Sequence, residues 1–290
     1  MIDTAMIDSH VHFWDPDRWD YPWLDDLPVI RRPFLPGDLF AGGRQPDAVV
    51  FVEAGGGNGD ALAEVAWVEE LADRWPAIVG VVAHAPLERA DDAAHLLRRL
   101  AQRPLVKGVR RNLQDEADGF MVAGFRDGVR LLADHGLVAD LCVRERQLAE
   151  VAELVRAVPE VTFVLDHLGK PDIKAGTWQP WADNLARLAH LPNLLVKVSG
   201  LATEADWDVW DPRRLTPYLR HALRVFGADR CMFGGDWPVS TLATSYGVWW
   251  QLLESVLADW SPSERADVFG GVAIRAYRLP VKPTTSTPAQ

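Results

Sequence analysis

Eight times along this chain a short apolar run ends in a polar residue, and helical patterns lie between the runs. Ala5-Met6-Ile7 leads through Asp8-Ser9 to His10, and Ala48–Val52 ends at Glu53. Ile78–Ala83 ends at His84, Leu105–Val109 at Arg110-Arg111, and Leu137–Val143 at Arg144. Val161–Asp166 ends at His167, Leu194–Val198 at Ser199, and Arg230–Gly235 at Asp236. Continuous apolar runs of this length suit strands covered on both faces. Amphipathic spacing predicts helices over about 60–75, 90–102, 120–135, 145–157, 180–191 and 213–226. Two more are expected at about 244–260 and 263–277. Alternating strand and helix with short links implies a parallel sheet. Eight units fit a single-domain (β/α)8 TIM barrel over residues 1–279 better than an open sheet. The Pro/Thr-rich stretch 280–290 is expected to be a disordered tail.

Bulk properties narrow the function. With 290 residues, 48% hydrophobic and 24% charged, the chain has the make-up of a soluble globular protein. Its net charge of −11 disfavours nucleic acid and anionic membranes as partners and leaves a small molecule as the expected one. No apolar run reaches the roughly 18 residues of a membrane span. No secretory signal is visible, so a cytoplasmic location is the default expectation. Cys142 and Cys231 sit inside apolar runs and read as small buried hydrophobes rather than a disulfide or metal pair. The oligomeric state is not legible.

Barrel active sites lie at the C-terminal ends of the strands, where the polar residues above would gather. His10 and His12, spaced i, i+2, would present both imidazoles on one side of a strand end. Such a pair is half of a first-row metal site, or simply two polar residues at a strand–loop junction. His84 lines the rim or does less. One of Arg110 and Arg111 should point inward by alternation, and Glu53 could pair with it and have no chemical task. The triple glycine Gly55-Gly56-Gly57 lacks the spacing and the Lys-Ser/Thr ending of a phosphate loop. A Gly-x-Ser-x-Gly elbow is absent too, which argues against a serine acyl-enzyme.

Eight tryptophans follow strand ends: Trp14, Trp19, Trp23, Trp178, Trp181, Trp207, Trp210 and Trp237. Their indoles would suit the C–H faces of a sugar ring, or would form small cores beneath the rim.

As a set, five segments resemble the amidohydrolase-related family of the amidohydrolase superfamily. They are Ile7–Trp14 (IDSHVHFW), Lys107–Arg110 (KGVR), Leu165–Pro171 (LDHLGKP), Val196–Leu201 (VKVSGL) and Met232–Pro238 (MFGGDWP). Within it the likeness is to sugar lactonases, such as L-fuconolactone and L-rhamnonolactone hydrolases, and to sulfomuconolactone hydrolase. The resemblance implies that His10 and His12 bind metal, that His167 binds metal or substrate, and that Asp236 binds metal and acts as general base. The fourth strand carries no metal-bridging lysine and the fifth ends in Val143-Arg144 rather than His, so the resemblance supports one divalent ion, zinc by preference. Some relatives of this branch work without a metal, so the ion is not implied to be indispensable.

The expected reaction is opening of a sugar lactone by water, with Asp236, His167 and Arg110 as catalytic residues. Trp14, Glu53, His84, Lys170 and Trp237 are the expected substrate contacts. The competing expectations are a metal-dependent decarboxylase of an unsaturated or aromatic acid, and a silent barrel that only binds a ligand.

Overall fold

The computed structural model describes residues 5–41, 43–121 and 123–280. All eight apolar runs form strands: β1 (Ile7–Val11), β2 (Ala48–Val52), β3 (Ile78–His84), β4 (Val106–Arg110), β5 (Val138–Leu141), β6 (Phe163–Leu165), β7 (Leu194–Val198) and β8 (Cys231–Phe233). They pair in parallel in chain order, one sheet of eight strands. The seam between β8 and β1 is closed just past the end of β8. There Asp236 donates its backbone N–H to His10 O at 2.8 Å, and His12 donates to Trp237 O at 2.7 Å. A parallel bridge between Val11 and Trp237 marks the same join. The protein is therefore a (β/α)8 barrel whose closure is made by the residues expected to do its chemistry.

Helices Ala61–Arg74, Ala90–Leu100, Ala123–His135, Leu148–Ala157, Trp181–Leu188, Pro212–Phe226 and Tyr246–Val256 form the outer ring. The last expected helix is broken. Pro262–Ala266 is α-helical, Asp267–Gly271 makes a wide π turn, and Val272–Tyr277 resumes the α-helix. The Gly270-Gly271 pair within that turn has low helical preference. Most of the expected tail, residues 281–290, lies outside the described residues.

The two-residue period of the strands sorts the core into two apolar groups. Val49, Phe51, Val81, Val109, Leu141, Phe163, Leu165 and Val198 face the helices. Ile7, Val50, Val82, Val138, Val164 and Met232 belong to a second group, completed by Tyr277 and Leu279 from the C-terminal segment. Tyr277 plugs the base of the barrel, and its hydroxyl donates to Asp140 at 2.9 Å. One layer above these apolar residues the interior becomes charged, and there the site begins.

The loops above the strands are held by close backbone contacts. In helix Ala123–His135, Gly128 lies against the turn after β3, where a Cβ would stand 1.9 Å from Leu87 O. Alanine ordinarily stabilises a helix interior by about 0.5–1 kcal/mol over glycine. Here the clash with a backbone carbonyl outweighs that gain, and Gly128→Ala is expected to destabilise the protein by about 1–3 kcal/mol. Urea unfolding of the two proteins checks this. An unchanged or raised midpoint would show that the helix and the turn are not in contact.

Candidate active site

His10 and His12 leave the end of β1 side by side, their Nε2 atoms 3.2 Å apart. His12 Nδ1–H donates to Val52 O at 2.8 Å, so its Nε2 is the atom with a free lone pair. His10 Nδ1 accepts from Lys197 Nζ at 3.1 Å, because an ammonium can only donate. His10 Nε2 faces His12 Nε2 and, at 3.5 Å, Arg110 Nη1. Burial pushes His10 well below the ordinary histidine range, so it is neutral.

Asp236 reaches the same point from the β8 side. Its Oδ1 is 3.7 Å from His10 Nε2, 3.6 Å from His12 Nε2 and 4.0 Å from His167 Nε2. Burial works against its charge, but the three imidazoles outweigh burial and hold the carboxyl well below the usual carboxylate range. It is ionised at neutral pH, and no arginine or lysine side chain is paired with it among the described residues. Its backbone is left-handed, with φ 51°, as is that of His167, Leu168 and Lys170 at 54°, 53° and 46°. Four non-glycine residues in that region place backbone strain at the mouth of the barrel.

His167 hydrogen-bonds through Nδ1 to Ser199 Oγ at 2.9 Å. Burial lowers it to about 4, with Asp236 as the main opposing influence. Its ring lies flat against Gly200, where a Cβ would come within 2.3 Å of Nδ1. Gly200 also has φ 64°, so that position needs glycine twice over.

The arginine that alternation sends inward is Arg110. Its Nε donates to Glu53 Oε1 and its Nη2 to Glu53 O, both at 2.8 Å, while Nη1 is 3.4 Å from Asp166 Oδ2. Glu53 thus fixes Arg110, as the sequence allowed. Arg111 turns instead to Glu88 and Glu116. Arg144 is exposed, with Asp115 and Glu204 as neighbours.

A cavity of about 520 Å³ opens above these residues. Its walls include His12, Asp236, His167, Arg110, Glu53, His84 and Lys170. Lys170 donates to Gln114 Oε1 at 2.7 Å and lies 3.5 Å from Glu204. His84 is half-buried on the wall. Cys142 is buried as expected but also touches the cavity, and both cysteines are free.

Two of the expected substrate contacts are corrected. Trp14 is fully buried, and its indole N–H donates to the carbonyls of Ile30 and Arg32 at 3.2 and 3.0 Å. Trp237 is buried between Phe13 and Phe34. Both build the core of the long first loop, and neither lines the cavity. Of the eight tryptophans that follow strand ends, only Trp23 reaches this cavity, held by its N–H to Ala54 O at 2.8 Å.

Several residues beneath the site were not singled out from the sequence. Asp8 accepts from the backbone N–H of His10 and Gly235 and from the Tyr246 hydroxyl, tying β1 to the loop after β8. Lys197 is fully buried among Asp140, Asp166 and His10. Glu64, buried beside Glu53, accepts from the backbone N–H of Ala54 and Gly56 at 3.1 and 2.7 Å.

Two overlapping donor sets could hold a metal: His10, His12 and Asp236, and His10, Asp166 and His167. A tetrahedral ion with bonds of about 2.0–2.1 Å needs donors roughly 3.3 Å apart. The first set, at 3.2, 3.6 and 3.7 Å, is close to that without rearrangement. Around it, buried carboxylates, among them Glu53, Asp140, Asp166 and Asp236, outnumber the buried cations Arg110 and Lys197. A divalent cation would offset part of that negative charge.

The chain belongs to the amidohydrolase family, whose model matches residues 7–279. It is a hydrolase. It is 37% identical to an L-fucono-1,5-lactonase from Burkholderia multivorans over 301 residues, covering 96% of this chain and 98% of that protein. A zinc-bound amidohydrolase crystal structure from the same species superposes with a TM-score of 0.84 at 36% identity, over 95% of this chain and all of the other. The 5-carboxyvanillate decarboxylase of Sphingomonas paucimobilis, at 15% identity and a TM-score of 0.61 over 95% of this chain and 99% of that one, shares the fold alone.

Glu64 provides a test of this electrostatic picture away from the metal donors. Burial, reinforced by Glu53, raises its carboxyl from 4.5 to about 7. Between those values the folded protein binds the extra proton, so stability falls as pH rises through the window. Glu64→Gln keeps an acceptor for both backbone N–H groups and has no such dependence. The Tm of the variant relative to the parent should therefore rise between pH 5 and pH 8. Parallel Tm curves would show that Glu64 is not held in a desolvated state beside Glu53.

Proposed function

We propose that this enzyme opens a neutral, hydroxylated lactone of the sugar-acid type by attack of water. The observation that carries the reading is an ionised Asp236 facing a cavity whose cations are already matched by carboxylates. Arg110 has Glu53 and Asp166, Arg111 has Glu88 and Glu116, and Lys170 has Glu204. A substrate bearing one or more carboxylates would find no unmatched cation to receive it. An uncharged ring with hydroxyls would find carboxylate, amide and imidazole acceptors at Glu53, Gln114 and His84. The lactonase relative supports the same substrate class.

Asp236 takes a proton from the attacking water and returns it to the ring oxygen as the ester bond breaks. Lys170, which has one hydrogen bond to a neutral partner, polarises the carbonyl. Arg110, with three of its donors engaged, acts by holding Glu53 and Asp166 in place. Zinc is the ion we assign to His10, His12 and Asp236, and when bound it would supply Lewis-acid polarisation at the same point.

A pH-indicator assay over aldonolactones, with CO2 detection on aromatic and unsaturated acids, tests the assignment. Hydrolysis of a neutral lactone without CO2 release is expected. CO2 release with no lactone opened would replace the reading by a decarboxylase. Asp236→Asn should fold, because the change is nearly isosteric, and should lower kcat by at least ~10²-fold with a much smaller change in KM. A rate within a few-fold of the parent would remove Asp236 from the role of base.

A further inference from the structure

The two donor sets for a metal share His10 but differ in what already occupies them. The set with His12 and Asp236 faces the cavity, and among the described residues no arginine or lysine side chain is within ion-pairing distance of Asp236. The set with Asp166 and His167 lies on the Lys197 side of His10, where Asp166 is fully buried against the ammonium while His167 reaches the cavity wall. The Lys197 ammonium is 3.1 Å from His10 Nδ1 and 3.1 Å from Asp166 Oδ1, and it also binds Asp140. The residue has no exposed surface. Its ammonium hydrogen-bonds to an imidazole nitrogen and to Asp140 and lies beside the Asp166 carboxylate, surroundings that otherwise suit a divalent ion.

Asp166 Oδ1 adds a second, independent sign. It is a fully buried carboxylate oxygen on which no hydrogen bond is aligned. Beside it stand the Lys197 ammonium at 3.1 Å and His10 Nδ1 at 3.3 Å, while Arg110 Nη1 is 3.4 Å from the other oxygen of the carboxylate. An oxygen placed beside a positive charge without a directed hydrogen bond is arranged as a ligand to a cation would be.

We propose that Lys197 is the resident cation of this deeper position, and that its ammonium keeps a second metal ion out of the barrel. The buried charges support the same assignment. With Lys197 present, its ammonium offsets the carboxylates of Asp140 and Asp166, and the negative charge of Asp236 is left for one divalent ion. Without it one more buried negative charge is unmatched, and His10, Asp166 and His167 remain as donors for a second ion. Lys197 touches neither the cavity nor Asp236, so this is a positioning role: it sets the number of metal ions the barrel holds. The inference does not depend on which bond the enzyme opens.

The test is metal stoichiometry and metal-dependent stability, measured apart from activity. Chelator-treated protein is equilibrated with Zn2+ or Co2+ alone, dialysed and analysed for bound metal, and Tm is recorded with and without the ion. The parent should retain no more than about one equivalent. Lys197→Met, which keeps the stem and removes the ammonium, should approach two equivalents. Its Tm should also rise more on adding metal than the parent's does. If that variant does not fold, Lys197→Met combined with Asp140→Asn removes the acid left unpaired and carries the same comparison. Two tightly held equivalents in the parent would overturn the proposal. So would a folded variant that binds no more metal than the parent and gains no extra stability from it.

Discussion

The structure depends on a layer of buried charge set across the barrel between its apolar base and its mouth. Lys197 and Arg110 are held there by Asp140, Asp166 and Glu53, with His10 between them. Taking such groups out of water costs several kcal/mol per ion, and mutual attraction repays it only where the geometry is complete. Here it nearly is. Each ion touches at least one opposite charge, and Tyr277 supplies a hydroxyl to Asp140 from below. The layer is ordered by these matched partners. It fixes where His10 points, and through His10 where a metal or a water can stand.

Above that layer the barrel seam and the site are one construction. The backbone hydrogen bonds between Asp236 and His10 and between His12 and Trp237 close the sheet. Asp8 clamps the same junction by accepting from His10, Gly235 and Tyr246. Asp236 and the histidine pair are thus positioned by strand closure rather than by a flexible loop. The left-handed backbone at Asp236, His167, Leu168 and Lys170 is tolerated because the surrounding closure over-determines it.

The residues at the strand ends were legible because their chemistry interrupts an apolar run at a point where a barrel gathers its function. His10, His12, His84, Arg110, His167 and Asp236 all meet around or against one cavity. Lys197 and Asp140 were not legible by that rule, since they sit within their runs rather than at the ends. The signal that points to them is alternation. Lys197 is two residues before Ser199 and Asp140 two before Cys142, so each shares the inward side of a strand whose end is already in the site. The tryptophans failed for a different reason. An indole at a rim satisfies a sugar face and a loop core equally well. Only the path of the first loop, which turns the Trp14 N–H to Ile30 and Arg32, distinguishes the two.

Asp236 is the point on which the account turns: it must activate water and never bond to the substrate itself. Repeated turnover of a neutral lactone in heavy-oxygen water, followed by mass analysis of both product and protein, tests this directly. Water attack predicts label in the product carboxylate and none in the peptide that contains Asp236. Label accumulating in the Asp236 side chain would mean that the carboxylate attacked the carbonyl and was regenerated by water, and the role assigned to it would be wrong.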